Sequence, residues 1–229
     1  MRISVIIPVY NEAEHIGKLV QSIIQYGKEQ FAEVIVTDGG STDDTLRVAA
    51  AAGAKAVLSP QKGRAAQMNY AASIATGDIL YFVHADVQLH HGCTKHIIDA
   101  VTAGTDLGCY RYRFDSPKKM LRFNGYMTRF NSIWAGGGDQ TLFIKKEIFR
   151  ELNGYRNDYR IMEDFDLVKR AKKKFRFRIL PYEITVSARK YEKNSWLRVQ
   201  WANTIIVLAW KMGASQNWMV NTYKRLLRW

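Results

Sequence analysis

The stretch ISVIIPVYNEAEHIGKLVQSII, residues 3–24, decides the fold of this chain. Its first seven residues form a nearly continuous apolar run, which is typical of a strand buried on both faces of a parallel sheet. Asn11 and Glu14 then have the spacing of a capping box, and apolar residues recur at helical spacing from Ile16 to Ile24. A buried strand followed directly by an amphipathic helix is the repeating unit of α/β proteins.

The same unit recurs through the first hundred residues, so we expect a doubly wound parallel sheet with right-handed crossovers. Further strands are predicted at 33–37, 55–58, 79–83, 107–114 and 141–144, with 176–187 forming two strands that turn at Pro181. Helices are predicted from Ser41 and Asp44 to near Gly53, at 64–75, 118–131, 145–152 and 163–174, and as two amphipathic helices in 195–229 separated near Gly213.

Composition excludes several classes of protein. With 47% hydrophobic and 24% charged residues among 229, the chain is neither disordered nor collagen-like. Cys93 and Cys109 cannot build a disulfide framework and lack the spacing of a zinc site, which favours a reducing, cytoplasmic location. No stretch has the roughly 20 apolar residues of a membrane span, and no signal peptide is predicted.

The net charge of +13 is concentrated in the second half of the chain. Residues 1–115 carry 10 Lys/Arg against 12 Asp/Glu, whereas residues 116–229 carry 24 against 9. A basic half is typical of proteins that bind nucleic acid, an anionic membrane surface or a phosphate-bearing substrate. Charge alone does not choose among these three.

Polar side chains cluster where three predicted strands end. PVYNE (residues 8–12) follows the first strand, DGGSTDD (38–44) follows the second, and HAD (84–86) follows the fourth. Open α/β sheets bind ligands at the carboxyl ends of their strands. The three segments therefore predict one binding crevice.

These segments, in this order, resemble the family 2 glycosyltransferases, which have the GT-A fold and use nucleotide-sugar donors. The resemblance is extended by KGR (62–64) with Asn69 and by Glu163-Asp164. A narrower similarity links the chain to a branch of that family associated with arsenosugar biosynthesis. It is carried by HAD (84–86), GGDQ (137–140), MED (162–164) and SAR (187–189).

The resemblance implies one GT-A domain over residues 1–229, an α/β fold with a mostly parallel central sheet flanked by helices. Residues 1–105 would bind the nucleotide, 106–190 would bind the acceptor and carry catalysis, and 191–229 would form C-terminal amphipathic helices. The implied activity is metal-assisted, inverting transfer of a sugar from a UDP- or GDP-sugar to a hydroxyl acceptor.

Six residues are expected to contact the nucleotide. The resemblance implies that Asp38 accepts a hydrogen bond from the base and that Pro8, Tyr10 and Glu12 border the base and ribose. Arg64 begins a helix, where N–H groups favour anions, so it would contact phosphate or position Asp86. A solvated basic turn at 62–64 is the alternative. The six are Pro8, Tyr10, Glu12, Asp38, Arg64 and Asp86.

Asp86 and His84 are the expected metal ligands. By resemblance Asp86 is the last acid of a DxD motif, so a divalent cation, Mn²⁺ or Mg²⁺, would neutralise the leaving diphosphate. His84 stands where the family usually has the first aspartate, and its imidazole either suits Mn²⁺ better than Mg²⁺ or binds no metal. The segment from His90 to Cys93 is predicted on a surface turn, because its spacing does not fit zinc.

Asp164 is the expected catalytic base, supported by Glu163. Direct inversion at a sugar carbon needs one carboxylate that takes the proton of the acceptor hydroxyl, and the resemblance places that carboxylate at Asp164. Acidic residues are also favoured in the first turn of any helix, so a purely structural role is the alternative.

Sugar or acceptor contacts are expected from a glycine-rich loop and from one arginine. Glycines let the backbone approach a sugar closely, and the arginine would offset diphosphate charge as a lid residue. A tight turn without a ligand is the alternative for the loop. The QxxRW signature of many relatives is absent, which disfavours processive polymer synthesis. The residues are Gly137, Gly138, Asp139, Gln140 and Arg189.

The basic run 169–178 and the tryptophans of 196–229 suit peripheral contact with the inner face of a membrane, whereas a packed helix pair is the alternative. The acceptor is accordingly a small molecule or a lipid such as a polyprenyl phosphate. No nucleic-acid signature is present. Two rival classes stay open: a nucleotidyltransferase, disfavoured by the lack of a glycine-rich phosphate loop, and an inactive nucleotide- or lipid-binding protein of the same fold.

Overall fold

The computed structural model describes residues 1–27, 30–131 and 140–227. The strands are β1 Ile3–Val9, β2 Phe31–Asp38, β3 Lys55–Leu58, β4 Ile79–Phe82, β5 Val87–Gln88, β6 Leu107–Phe114, β7 Leu142–Lys145 and β8 Phe177–Val186. The helices are α1 Ala13–Tyr26, α2 Thr45–Ala51, α3 Arg64–Ile74, α4 Cys93–Thr102, α5 Lys119–Met127, α6 Lys146–Glu151, α7 Glu163–Ala171, α8 Lys190–Lys193, α9 Trp196–Lys211 and α10 Gln216–Leu226.

The first four strands form the parallel sheet that the sequence predicts. They lie in the order β3-β2-β1-β4, and each neighbouring pair is parallel. All seven residues of β1 are buried, as expected of a central strand with helices on both faces. The strand ends at Pro8 and Val9, where the pairing with β4 has already stopped at Ile6, so the missing N–H of proline costs no bond on that side.

The second half of the sheet is mixed. The order continues as β7-β6-β8-β5, where β7 is antiparallel to both β4 and β6, while β6 and β8 are parallel. The α/β fold class is confirmed, and the sheet carries two antiparallel strands, β7 and β5, that alternation of strands and helices does not predict.

The predicted turn at Pro181 is wrong. Residues 177–186 form one strand, and its register against β6 shifts between the pairs Tyr110–Leu180 and Arg111–Glu183. Pro181 and Tyr182 therefore lie in a bulge, where a proline without an N–H is tolerated and the strand bends without ending.

Three further local predictions differ from the structure. Neither Asn11 nor Ser41 caps a helix, because Glu12 and Asp44 hold those positions without a side-chain cap bond. The helix predicted to reach residue 131 ends at Met127. Cys93 is not on a surface turn, since it is buried and begins α4, and the hydroxyl of Tyr110 donates to its carbonyl at 2.6 Å.

The C-terminal helices pack beside the sheet through small apolar clusters. Ser195 and Ser215 cap α9 and α10 by accepting from the backbone N–H three residues on, at 3.3 Å in each case. The helix α10 is amphipathic as predicted, but α9 carries apolar residues on its solvent side as well as its packed side. Among the helices in the described ranges, none has the length and apolar character needed to cross a bilayer.

Two apolar clusters cover the two faces of the sheet, and Gln67 ties the strand ends between them. Its buried side-chain amide donates to the carbonyl of Val9 at 2.8 Å and to that of Thr37 at 2.7 Å. Both carbonyls lie where β1 and β2 end, so one side chain of α3 fixes the spacing of the two loops that follow.

Replacing Gln67 by leucine removes two buried hydrogen bonds, although the carbonyl of Val9 still accepts from the N–H of Gly39. We expect the Gln67→Leu variant to lose about 1–3 kcal/mol of unfolding free energy in urea denaturation. The exposed Gln61 provides a matched control, because Gln61→Leu removes no buried hydrogen bond. Equal stability of the two variants would contradict the role given to Gln67.

Candidate active site

The candidate site lies at the carboxyl ends of β1, β2 and β4. Asp38 is the last residue of β2, Glu12 precedes α1, and His84 and Asp86 follow β4. The structure thus brings together the three segments that the sequence predicts to share one crevice. Tyr10 is exposed at the end of β1, whereas Pro8 is buried within that strand.

Asp38 is buried, and its carboxylate is held by the turn that follows it. Oδ1 accepts from the N–H of Gly40 at 3.2 Å, from the N–H of Ser41 at 3.0 Å and from the hydroxyl of Ser41 at 2.6 Å. Gly40 has a φ of +95°, a conformation that glycine adopts without strain. These bonds fix the direction of the carboxylate before any ligand arrives.

Asn11 joins the β1 loop to the β2 loop. Its backbone N–H donates to the hydroxyl oxygen of Ser41 at 2.8 Å, and its side-chain oxygen accepts from the N–H of Thr42 at 2.9 Å. Its φ of +54° is a left-handed conformation, which asparagine tolerates better than most residues. Sequence reasoning assigned these side chains to helix caps, because Asn and Ser before a helix are the usual signal of a cap.

Arg189 lies between two carboxylates of the crevice. Its Nη2 is 3.5 Å from Oε1 of Glu12 and 3.7 Å from Oδ2 of Asp86. The sequence offered Arg64 either as a phosphate contact or as a residue that positions Asp86. In the structure Arg64 pairs with acidic residues of α7, and Arg189, which follows β8, lies beside Asp86. The side chains of Asp86 and Arg189 are 38% and 49% exposed, so solvent screens this pair and a ligand can reach both groups.

Arg64 pairs with the two acidic residues that begin α7. Its Nε donates to Oε1 of Glu163, and its Nη2 donates to Oδ2 of Asp164 at 3.3 Å. Glu163 and Asp164 are buried, whereas the Arg64 side chain is 42% exposed. The second oxygen of Glu163, Oε2, is buried and makes no hydrogen bond with any described residue.

The pKa of Asp164 is raised by burial and by the neighbouring Glu163 carboxylate, while Arg64, His84 and the nearby Tyr155 hydroxyl act in the opposite direction. Burial lowers the pKa of Arg64, but attraction to Glu163 and Asp164 outweighs this and raises the pKa overall. Asp164 is therefore a buried carboxylate of raised pKa beside a permanent cation.

Sequence reasoning missed Tyr155, which contacts Asp164 from a loop. Asn69 of α3 holds this loop, because its side-chain nitrogen donates to the Tyr155 carbonyl at 2.8 Å and its oxygen accepts from the Tyr155 N–H at 2.9 Å. The sequence offered one clue, because Asn69 belongs to the motif that begins at KGR. Its partner Tyr155 lies 86 residues away, so no local pattern links the two.

A cavity of about 840 Å³ adjoins Asp164 and Arg64. Its walls come from α5, α9, α10 and the segment before α7, and they combine aromatic, amide and basic side chains. Gln140 also lines it, and its side-chain nitrogen donates to the carbonyl of Tyr110 at 3.2 Å. Gly137, Gly138 and Asp139 lie outside the described residues.

The donor set at Asp86 fits a metal that is shared with a substrate. Within the described ranges, no group of three or more His, Cys, Asp or Glu side chains forms a cluster able to hold an ion. Mg²⁺ and similar hard cations commonly take one or two carboxylates and complete their shell with phosphate oxygens and water. Asp86, partly exposed beside Glu12, meets that requirement, and His84 faces Asp164 closely enough to lower its pKa.

Removing the Arg64 cation should destabilise the protein in a pH-dependent way. In Arg64→Gln, two buried carboxylates lose their partner, and we expect a loss of about 1–3 kcal/mol at neutral pH, less than for a fully buried pair because Arg64 is partly exposed. The loss should shrink as pH falls, because without the opposing guanidinium, burial raises the folded pKa of Asp164 further, and its protonation removes an uncompensated charge. Urea denaturation between neutral and acidic pH measures this difference.

The control for Arg64→Gln is Arg47→Gln, which breaks an exposed ion pair with Asp44 on the surface of α2. This variant should unfold like the parent chain at every pH. A loss for Arg64→Gln that is independent of pH would contradict the electrostatic explanation.

The fold of the chain matches solved structures of sugar-transferring enzymes. A mannosyltransferase from Pyrobaculum calidifontis in complex with GDP-Man and Mn²⁺ has a TM-score of 0.70 at 22% identity, over 90% of this chain and 62% of that one. The glucosyl-3-phosphoglycerate synthase of Mycobacterium tuberculosis, in complex with Mn²⁺, UDP and glucosyl-3-phosphoglycerate, has a TM-score of 0.67 at 20% identity, over 93% and 80%. The GT-A fold is confirmed by these matches.

Curated relatives match over part of their length. The glucosyl-3-phosphoglycerate synthase of Mycolicibacterium smegmatis is 38% identical over 93 residues, which is 37% of this chain and 31% of the relative. A PGL/p-HBAD biosynthesis glycosyltransferase of Mycobacterium bovis is 26% identical over 181 residues, 71% of this chain and 66% of the relative. The family model "Glycosyl transferase family 2" matches residues 4–164, from β1 to the acidic pair of α7. The chain belongs to glycosyl transferase family 2.

Proposed function

We propose that the protein transfers a sugar from a nucleotide-diphospho-sugar to an acceptor hydroxyl, with inversion at the anomeric carbon. The observation that carries this proposal is the Asp164 carboxylate, buried against Arg64 in the wall of a cavity large enough for an acceptor. A carboxylate with a raised pKa is a stronger base than an ordinary aspartate, and its position at the cavity gives it access to a hydroxyl.

In the proposed reaction, the acceptor oxygen attacks the anomeric carbon while Asp164 takes the hydroxyl proton. The bond from that oxygen to carbon forms as the bond from carbon to the phosphate oxygen breaks, and the nucleoside diphosphate leaves with the electron pair. Arg64 holds Asp164 in place through its guanidinium, and Glu163 holds Arg64 through the other arm. Inversion follows because no covalent intermediate with the enzyme forms.

The donor is assigned to the crevice formed by the loops after β1, β2 and β4. Asp38 would accept from a uracil or guanine ring N–H, and Tyr10, Pro8 and Glu12 would border the base and ribose. The exposed Tyr10 ring supports this role better than the buried Pro8, whose contribution is to shape the end of β1. The structural neighbours were solved with UDP or GDP-Man, which makes UDP- and GDP-sugars the donors to test first.

Asp86 is proposed to hold a divalent cation, Mn²⁺ or Mg²⁺, with His84 nearby. Such a cation supplies charge neutralisation to the leaving diphosphate. Arg189 is proposed to neutralise the same diphosphate charge, because its guanidinium already lies between Asp86 and Glu12. Once a donor is bound, its phosphates offer this arginine an alternative anionic partner.

Two acceptor classes follow from separate observations. The similarity to the arsenosugar branch favours a small soluble metabolite. The apolar side chains of the cavity, among them Phe123, Met127 and Trp196, favour an acceptor with an apolar part such as a lipid. We propose a single domain in which residues 1–105 bind the donor and residues 106–190 with the C-terminal helices bind the acceptor, with Gln140 near the sugar.

Asp164→Asn removes the base while keeping the shape and hydrogen-bonding oxygen of the side chain. We expect the transfer rate to fall about 10²- to 10⁴-fold, while the dissociation constant for the nucleotide changes less than about tenfold. Release of nucleoside diphosphate measures transfer, and calorimetry measures binding. The exposed Asp158 gives a control, since Asp158→Asn should retain both properties. Equal loss of transfer and binding in Asp164→Asn would refute the base assignment.

Asp86→Asn should uncouple nucleotide binding from the metal. In the parent chain, we expect one of UDP-, GDP-, CDP- or dTDP-sugars to raise the unfolding temperature with Mn²⁺ or Mg²⁺, by about 5–10 °C at a hundredfold excess over the dissociation constant. EDTA should abolish that shift, and the Asp86→Asn variant should show no shift with or without the metal. A parent shift that survives EDTA would assign the phosphate charge to Arg189 and Arg64, without a metal.

A further inference from the structure

Two helices beside the cavity carry large apolar side chains on their solvent sides. On α9, Leu197, Trp201, Leu208 and Met212 form one stripe along the helix, and Trp201 is 67% exposed. A helix on the surface of a globular protein normally presents polar residues to solvent. Around α5 the exposed apolar side chains are Met120, Phe123, Tyr126, Met127 and Phe130. We call these two sets, together with the basic residues of the same segments, the apolar-basic face.

The two helices contact each other directly, so their exposed side chains lie on neighbouring parts of the surface. The indole N–H of Trp196 on α9 donates to the side-chain oxygen of Asn124 on α5 at 3.2 Å. Leu121 packs in one apolar cluster with Val199 and Ala202. Exposed side chains on both helices therefore flank a fixed junction.

Basic residues accompany the apolar ones, and acidic residues are missing from both segments. The sequence contains no Asp or Glu in 116–131 or in 193–227, although these segments hold nine Lys and Arg residues. Lys119 and Arg122 are exposed on α5 beside Met120 and Phe123. The nine are Lys118, Lys119, Arg122, Arg129, Lys193, Arg198, Lys211, Lys224 and Arg225.

We propose that the apolar-basic face docks on the surface of a bilayer that contains anionic lipids. Aromatic and aliphatic side chains enter the boundary between headgroups and acyl chains, and Lys and Arg side chains meet the anionic headgroups. Charge decides between this occupant and a second copy of the chain. A symmetric pair would bring the basic residues of one face against those of the other, and Glu183, which already pairs with Arg129, supplies too little negative charge to offset them.

The docking surface also borders the proposed active site. Phe123 and Met127 are exposed on the face and line the cavity that contains Asp164. A docked bilayer would accordingly place a lipid-borne acceptor next to this cavity. This consequence rests on the proposed transfer reaction, whereas docking itself does not.

Sedimentation of the full chain with vesicles tests the proposal. We expect binding to vesicles that contain phosphatidylglycerol, little binding to phosphatidylcholine alone, and weakening by salt. Trp201→Ser/Leu208→Ser and Lys119→Glu/Arg122→Glu should each reduce the partition coefficient at least about tenfold. Leu58→Ser and Lys18→Glu are the matched controls, because they change exposed side chains on β3 and α1 and should bind like the parent chain.

All four variants alter exposed side chains, and an unchanged unfolding temperature confirms that each is folded. Failure of the parent chain to distinguish the two vesicle types, or equal binding by face variants and controls, would overturn the proposal. Sedimentation velocity without vesicles tests whether a second copy of the chain occupies the face instead. A dimer of the parent chain that is lost in Trp201→Ser/Leu208→Ser would assign the face to a second copy. No donor is present in these measurements, so their failure leaves the proposed transfer reaction standing.

Discussion

The candidate site depends on one ionic contact, between Arg64 and the acidic pair Glu163 and Asp164. The partners are 99 and 100 residues apart in the chain, and they join the start of α3 to the start of α7. Two adjacent buried carboxylates repel each other and lose hydration, so a cation must be close for either to be charged. Part of the Arg64 side chain is exposed to solvent, so the guanidinium stabilises the two carboxylates without closing the site. Asp164 stays at the edge of the cavity.

A second charge arrangement occupies the proposed donor side of the site. Asp38 is fixed by turn amides, and Arg189 lies between Glu12 and Asp86. The two arrangements have different physical characters. The Asp38 carboxylate is buried and preorganised, which suits recognition of a fixed ligand group, whereas the Arg189 contacts are longer and half-exposed and can exchange for a phosphate at little cost.

The C-terminal helices line the proposed acceptor side and carry part of the unusual charge. They supply cavity walls through Trp196, Gln200 and Tyr223, while the other side of α9 stays apolar and exposed. Part of the excess positive charge in the second half of the chain therefore lies on segments that also expose apolar side chains. Antiparallel insertion of β7 between β4 and β6 is what places this half beside the strand ends of the first half.

The sequence alone determined the parallel half of the sheet, because apolar runs, helical periodicity and strand-end motifs are local patterns that burial imposes directly. It also predicted which residues approach the crevice, from the order of their motifs. It could not predict that Arg189 rather than Arg64 lies beside Asp86, that Asn69 holds Tyr155, or that Pro181 forms a bulge instead of a turn. Those outcomes depend on the register of β8 against β6 and on contacts between residues far apart in the chain, where many partners are compatible with the same local pattern and only the packed structure selects one.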